Sequence, residues 1–126
     1  MGRFNWIWRT LRTLSVITCA VGVPGTATAA ALTDADFNTA IAACLAEDPV
    51  GGVCTNYGES SGFGTMPNWD TSQVTDMSQA FSEEIHGISV VGNFNAGIGS
   101  WNTSNVIDMT LMFRGCHAFN SDISSW

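Results

Sequence analysis

Apolar residues in the stretch after residue 30 fall first at helical spacing. Phe37, Ala40, Ile41, Cys44 and Leu45 stand at i, i+3, i+4, i+7 and i+8, which lines one face of a helix. Thr33 is a suitable N-cap with Asp36 three positions on, and Leu32 and Phe37 occupy the two positions of a hydrophobic staple. Pro49 and the Gly51-Gly52 pair end the pattern. Glu47 and Asp48 fall at the helix C-terminus, where the macrodipole mildly disfavours carboxylates, so packing or a covalent cross-link is expected to hold this helix. From Thr55 to Pro67 the chain is rich in Gly, Ser and Asn and reads as a connecting loop.

Beyond residue 66 the pattern changes from a helical face to a repeat. Trp69-Asp70-Thr71-Ser72-Gln73-Val74-Thr75-Asp76-Met77 recurs as Trp101-Asn102-Thr103-Ser104-Asn105-Val106-Ile107-Asp108-Met109, and Phe81 matches Phe113. A second block, Phe94 to Trp101, recurs as Phe119 to Trp126. Trp101 and Trp126 are 25 residues apart and Trp69 and Trp101 are 32 apart, so the first unit carries a seven-residue insertion around Glu83 to Asn93. Units of this length cannot bury their own apolar face and stack on copies of themselves.

The recurring Trp, Val, Met, Phe and Ile are the expected inward positions. Ile-x-x-Trp, bounded by Ser, Gly and Asn, predicts a brief strand; Val-x-x-Met-x-x-x-Phe has helical spacing with Thr and Ser ahead of it as caps. The expected fold is therefore an α/β solenoid, a leucine-rich-repeat-like stack of short parallel strands and short helices, preceded by an N-terminal capping helix. Insertions in such stacks map to loops on one face. Glu83, Glu84, Ile85 and His86, which combine charge and apolar bulk on that insertion, form a candidate recognition loop.

The first segment follows a different logic. Arg3, Arg9 and Arg12 precede the apolar stretch Leu14 to Val23, then Pro24, Gly25 and the small residues Thr26 to Ala31, the order of a secretory signal peptide cleaved near Ala30. An apolar run this short falls below the roughly 20 residues that a membrane-spanning helix needs, so no transmembrane segment is expected in the mature chain. Cys19 raises a lipoprotein alternative, but it lies inside the apolar run and follows Thr18, bulkier than the Gly, Ala or Ser usual there. The expected organisation is a signal peptide over 1–29, a helical cap and linker over 30–65, and repeats over 66–126, the last one broken off at Trp126 as in a truncated chain.

Removal of the leader would take three of the four basic residues. Arg114 alone would face eleven Asp and Glu, one positive charge against eleven negative and formally −10, with no lysine present. Such a surface repels phosphate backbones and anionic membranes, so no nucleic-acid partner is expected. Export also implies an oxidising compartment, in which Cys44 and Cys54 would close a short loop through Pro49, Gly51 and Gly52 as a structural disulfide; Cys116 lacks an obvious partner.

The string W-D-T-S-x-V-T-D-M-S-x-x-F followed by F-N-x-x-I-x-x-W resembles the repeat, about 26 residues long, of BspA-like bacterial surface proteins. The resemblance spans Met66 to Trp126. Asp36-Phe37, Ala40, Cys44-Leu45, Asp48-Pro49, Gly52 and Cys54 also resemble the N-terminal cap that precedes such repeats in secreted proteins. It implies a leucine-rich-repeat-type coil on a secreted or cell-surface protein, with a non-enzymatic role in binding or adhesion to a protein or glycan partner. The alternatives are an accessory or catalytic part of a secreted carbohydrate-active protein, and a passive spacer.

Chemistry-bearing residues are few, and no cofactor or metal is expected. Cys116-His117 pairs a nucleophile with a base, but neighbours on a short coil point apart. Asp76 and Asp108 are equivalent by repeat and would stack about 5 Å apart, near the separation of a retaining glycosidase pair yet generic to any stacked coil. The same ladder could attract calcium, though a solvated or capping role is the simpler one. Trp69, Trp101 and Trp126 could stack sugars, but at fixed repeat offsets they suit core packing. Asn102-Thr103-Ser104 forms a glycosylation sequon in which Asn102 replaces Asp70 of the preceding unit.

Overall fold

The computed structural model describes residues 28–126; all but the last two positions of the expected leader lie outside the described residues. Strand β1 (Ala31–Thr33) leads directly into helix α1 (Asp34–Glu47). At the junction the Asp36 carboxylate accepts from the Thr33 hydroxyl at 2.7 Å and from its backbone N–H at 3.3 Å. Phe37, Ala40, Ile41, Cys44 and Leu45 are the buried residues of α1, the same five that the spacing selects, and Leu32 is buried beside them.

Thr55 to Pro67 is more ordered than a connecting loop. Helix α2 (Thr55–Ser61) and a 3₁₀ turn (Met66–Asn68) occupy it. The reason lies on α1: both carboxylate oxygens of Glu47 accept from the first turn of α2, from Asn56 N–H and Tyr57 N–H at 3.0 Å each. Asp48 plays the matching part in the loop between the helices, accepting from the N–H groups of Val50, Gly51 and Val53. Acids that look misplaced at a helix C-terminus thus satisfy the orphan donors of the next segment. Gly58 is buried where a β-carbon would come within 2.6 Å of the Gly64 backbone, so only glycine lets the two segments meet.

Strand β2 (Asp70–Gln73) pairs in parallel with β1. Past β2, the segment Val74 to Phe81 runs through turns and is not helical. Gln79 has a φ of 55° and its counterpart Leu111 a φ of 56°, values outside an α-helix. Instead of bonding to i−4, the N–H groups of Met77, Gln79, Phe81 and Glu83 donate to the carbonyls of Asp108, Thr110, Met112 and Arg114, at 2.8 to 2.9 Å. Four alternate residues of the first unit are thereby tied to alternate residues of the second, with Asp76 and Asp108 forming an isolated parallel bridge. The Ile98–Trp101 and Ile123–Trp126 pieces close as turns, each with the Trp N–H donating to the Ile carbonyl three residues back.

Equivalent aromatic side chains meet in pairs. Trp69 stacks on Trp101 and Trp101 on Trp126, with centroids 6.0 and 6.2 Å apart; Phe81 stacks on Phe113 at 5.7 Å and Phe94 on Phe119 at 5.9 Å. Offset-stacked contacts of this kind each contribute about 0.5–1.5 kcal/mol beyond area burial. The core runs from α1 through Val74, Met77, Phe81, Phe94, Ile98 and Trp101, all fully or almost fully buried.

Candidate functional site

The insertion is not a loop but two single-turn helices, α3 (Glu83–His86) and α4 (Ile88–Val91). Ser82 caps the first, its hydroxyl accepting from Glu84 N–H at 3.1 Å, and Gly87 at φ 82° separates the two. Helix α3 holds all four candidate recognition residues, but they do different things. Glu83 and Glu84 both reach Arg114 of the second unit, Glu83 at 3.8 Å and Glu84 in direct contact with the guanidinium. His86 turns inward, its Nε2 lying 2.8 Å from the Ala80 carbonyl. Glu84 keeps 47% of its side chain exposed beside that ion pair, and the apolar part of the exposed side is Ile85 at 52% with Ile88 of α4 at 48%. Val91, by contrast, is buried and anchors the insertion to the core. The two isoleucines make up the exposed apolar surface of this element.

The repeat acids are spent on turns. Asp70, Asp76, Asp108 and Asp122 each accept from the N–H two residues on, at 2.8 to 3.0 Å, and Asn102 does the same for Ser104 at 3.1 Å. Ser72, through its hydroxyl and N–H, holds the Asp70 carboxyl below the usual carboxylate range. Thr110 does so for Asp108, and Ser124, chiefly through its N–H, for Asp122. A glycosidase acid requires the opposite shift, a carboxyl raised so that it carries a proton at neutral pH. Among the described residues no three His, Cys, Asp or Glu side chains gather as they would around a metal ion.

Indole nitrogens are equally committed. Trp69 Nε1 donates to the Gly64 carbonyl and Trp101 Nε1 to Met66, both at 2.9 Å, and Trp126 Nε1 to Ile98 at 3.3 Å. Trp69 and Trp101 are 3% exposed, which leaves no ring face for a sugar. Cys44 and Cys54 form a disulfide with their α-carbons 5.1 Å apart, joining α1 to the start of α2. Cys116 is a free, half-buried thiol whose Sγ lies 3.1 Å from the Phe81 carbonyl. Burial and the neighbouring Glu83 charge push its pKa up to about 11, the wrong direction for a nucleophile at neutral pH.

No described helix is long and apolar enough to cross a membrane. No curated protein and no solved structure matches this chain. One family model does match, over residues 55–126, and its description is Mycoplasma protein of unknown function, DUF285. That span covers more than half of the chain and contains both repeat units and α2, so the chain belongs to this family.

Proposed function

We propose that this is a secreted or cell-surface repeat protein of the BspA-like kind, a leucine-rich-repeat-like α/β solenoid whose cap is α1, acting as a non-enzymatic module for binding or adhesion. The observation that carries the reading is the pairing of equivalent side chains: Trp69 on Trp101 on Trp126, Phe81 on Phe113, Phe94 on Phe119. A unit whose aromatics stack on the equivalent ones of its copy extends by addition and offers a broad outer surface rather than a cleft. The leader-like order of residues 1–29 and the disulfide fit an extracellular location.

Recognition is assigned to the outward side of the insertion, Ile85 and Ile88, while Glu83, Glu84 and His86 hold that side in place. The strongly acidic surface favours protein or glycan partners over nucleic acid. Screening the full chain against arrays of purified glycans and extracellular proteins tests this. The reading expects a retained ligand whose retention falls at least tenfold in an Ile85→Asp/Ile88→Asp double variant. Retention that ignores both substitutions moves recognition elsewhere, and an empty screen favours a passive spacer. Turnover of a polysaccharide abolished by Asp108→Asn would instead establish the carbohydrate-active alternative.

A further inference from the structure

The two units differ at one exposed turn position in a way that the fold does not require. Asp70, Asp108 and Asp122 each brace a turn by accepting the N–H two residues on, and Asn102 does the same for Ser104 at 3.1 Å. A carboxylate therefore serves such a turn as well as an amide, and Asn102 carries a nitrogen for which the turn has no use. The orientation of its amide is fixed, because the Ser104 N–H needs an acceptor and takes Oδ1, to which the Ser104 hydroxyl also donates at 2.7 Å. Nδ2 is then the free end, and among the described residues it has no acceptor. The amide nitrogens of Asn56, Asn68 and Asn105, by contrast, are held by Glu47, Thr65 and the Ser72 carbonyl.

Asn102 is exposed, and its place in the coil accounts for that. Its counterpart Asp70 has β1 on one side, where it pairs with Ala31, and the second unit on the other, where the Thr71 hydroxyl donates to the Asn102 carbonyl at 3.1 Å. Asp70 is exposed all the same. The position lies on the outer rim of the coil, clear of neighbours on both sides.

Asn102-Thr103-Ser104 is the one Asn-x-Ser/Thr sequence in the chain. We propose that Asn102 is an N-glycosylation site, accepting an oligosaccharide from an isoprenoid pyrophosphate donor during export. Nδ2 forms a bond to the anomeric carbon of the first sugar as that carbon's bond to the pyrophosphate oxygen breaks. The amide gives up one of its two protons and the isoprenoid pyrophosphate leaves, with nothing oxidised or reduced. The hydroxyl that the acceptor sequence demands two residues on is that of Ser104, already bonded to the Asn102 amide. Oδ1 keeps both of its bonds in the product, so the turn survives the modification. The proposal rests on the exported reading above, since donor and oligosaccharyltransferase lie on the secretory route.

Secretion of the full chain with its own leader from a eukaryotic host, followed by intact-mass measurement of the protein in the medium, tests this. The expected product starts near Ala30 and carries one glycan, which peptide N-glycosidase removes in heavy-oxygen water with labelling of residue 102. Asn102→Asp, which places the first unit's own residue there, and Ser104→Ala are each expected to be secreted and to lose the glycan entirely. Asp70→Asn, which gives the first unit the same three residues, is expected to gain a second one. Protein that stays in the cell with its leader attached overturns the exported reading and the glycosylation with it. Secreted, processed protein that is unmodified at Asn102, or an Asp70→Asn variant without a second glycan, overturns the assignment of this rim position alone.

Discussion

The indole Nε1 of Trp101 donates to the carbonyl of Met66 at 2.9 Å, a buried bond that ties the second unit to the turn preceding the first. The same ring packs edge-on against Phe37 of α1 with centroids 5.6 Å apart. Trp101 therefore joins α1, the first unit and the second. Trp101→Phe keeps much of the apolar contact and leaves the Met66 carbonyl with the Trp69 N–H at 3.2 Å as its remaining donor, which is expected to cost about 0.5–1.5 kcal/mol. Trp101→Ala is expected to cost about 3–5 kcal/mol. Urea unfolding monitored by far-UV circular dichroism measures both, and equal losses for the two variants would contradict this account.

Glu47 acts outside its own helix. Its carboxylate caps α2 through Asn56 and Tyr57, so Glu47→Ala is expected to destabilise the protein by about 1 kcal/mol, in the range of N-cap deletions. The loss is local: exchange of the α2 amides is expected to accelerate while those of α1 change little. Uniform acceleration across both helices would show that Glu47 acts in some other way.

Asp34 links α1 to the first unit by accepting from the Thr75 hydroxyl at 2.6 Å and from the N–H groups of Thr75 and Asp76 at 2.7 and 3.1 Å. The Thr75 hydroxyl first, then the two N–H groups, lower its pKa from 3.8. A carboxyl whose folded pKa is depressed stabilises the protein above its unfolded pKa and loses that contribution as pH falls through the folded one. Stability is therefore expected to decline as pH drops below about 4, with a shallower decline in Asp34→Asn. Melting temperatures between pH 2 and 6 check this, and identical slopes for the two proteins would count against the latch.

With its pKa raised to about 11, the Cys116 thiol stays protonated at pH 8. Its alkylation by iodoacetamide in the native protein is expected to be at least tenfold slower than that of the same cysteine in urea, because the thiolate is the reactive form. Mass spectrometry of timed quenches follows it. Native labelling as fast as in urea would show Cys116 to be exposed and ionisable.

Helix α1 was legible in the sequence because its determinants are local. The five-residue apolar face of α1, its N-terminus at Thr33 and the Cys44–Cys54 pairing all follow from residues close together in the chain. Helix α2 was not legible, since its stretch of Gly, Ser and Asn carries little helix preference and its cap comes from Glu47 on another element. The helical spacing of Val74, Met77 and Phe81 misled for a related reason. A period of three to four residues also arises when a turn-rich segment points its apolar side chains inward while its N–H groups bond across to a neighbouring unit.

In the candidate site, the sequence alone determined the composition of the insertion and the place of the insertion within the repeat. It also determined the repeat, the acidic balance and the position of the three tryptophans. What the tertiary structure decided is which of these residues have anything left to offer. Local turn bonds take up the repeat acids, burial and backbone carbonyls take up the indoles and His86, and Arg114 of the second unit takes up Glu83 and Glu84. Ile85 and Ile88 stay outside. Side-chain availability is set by what packs against a residue, and partners about thirty positions away cannot be read from local pattern.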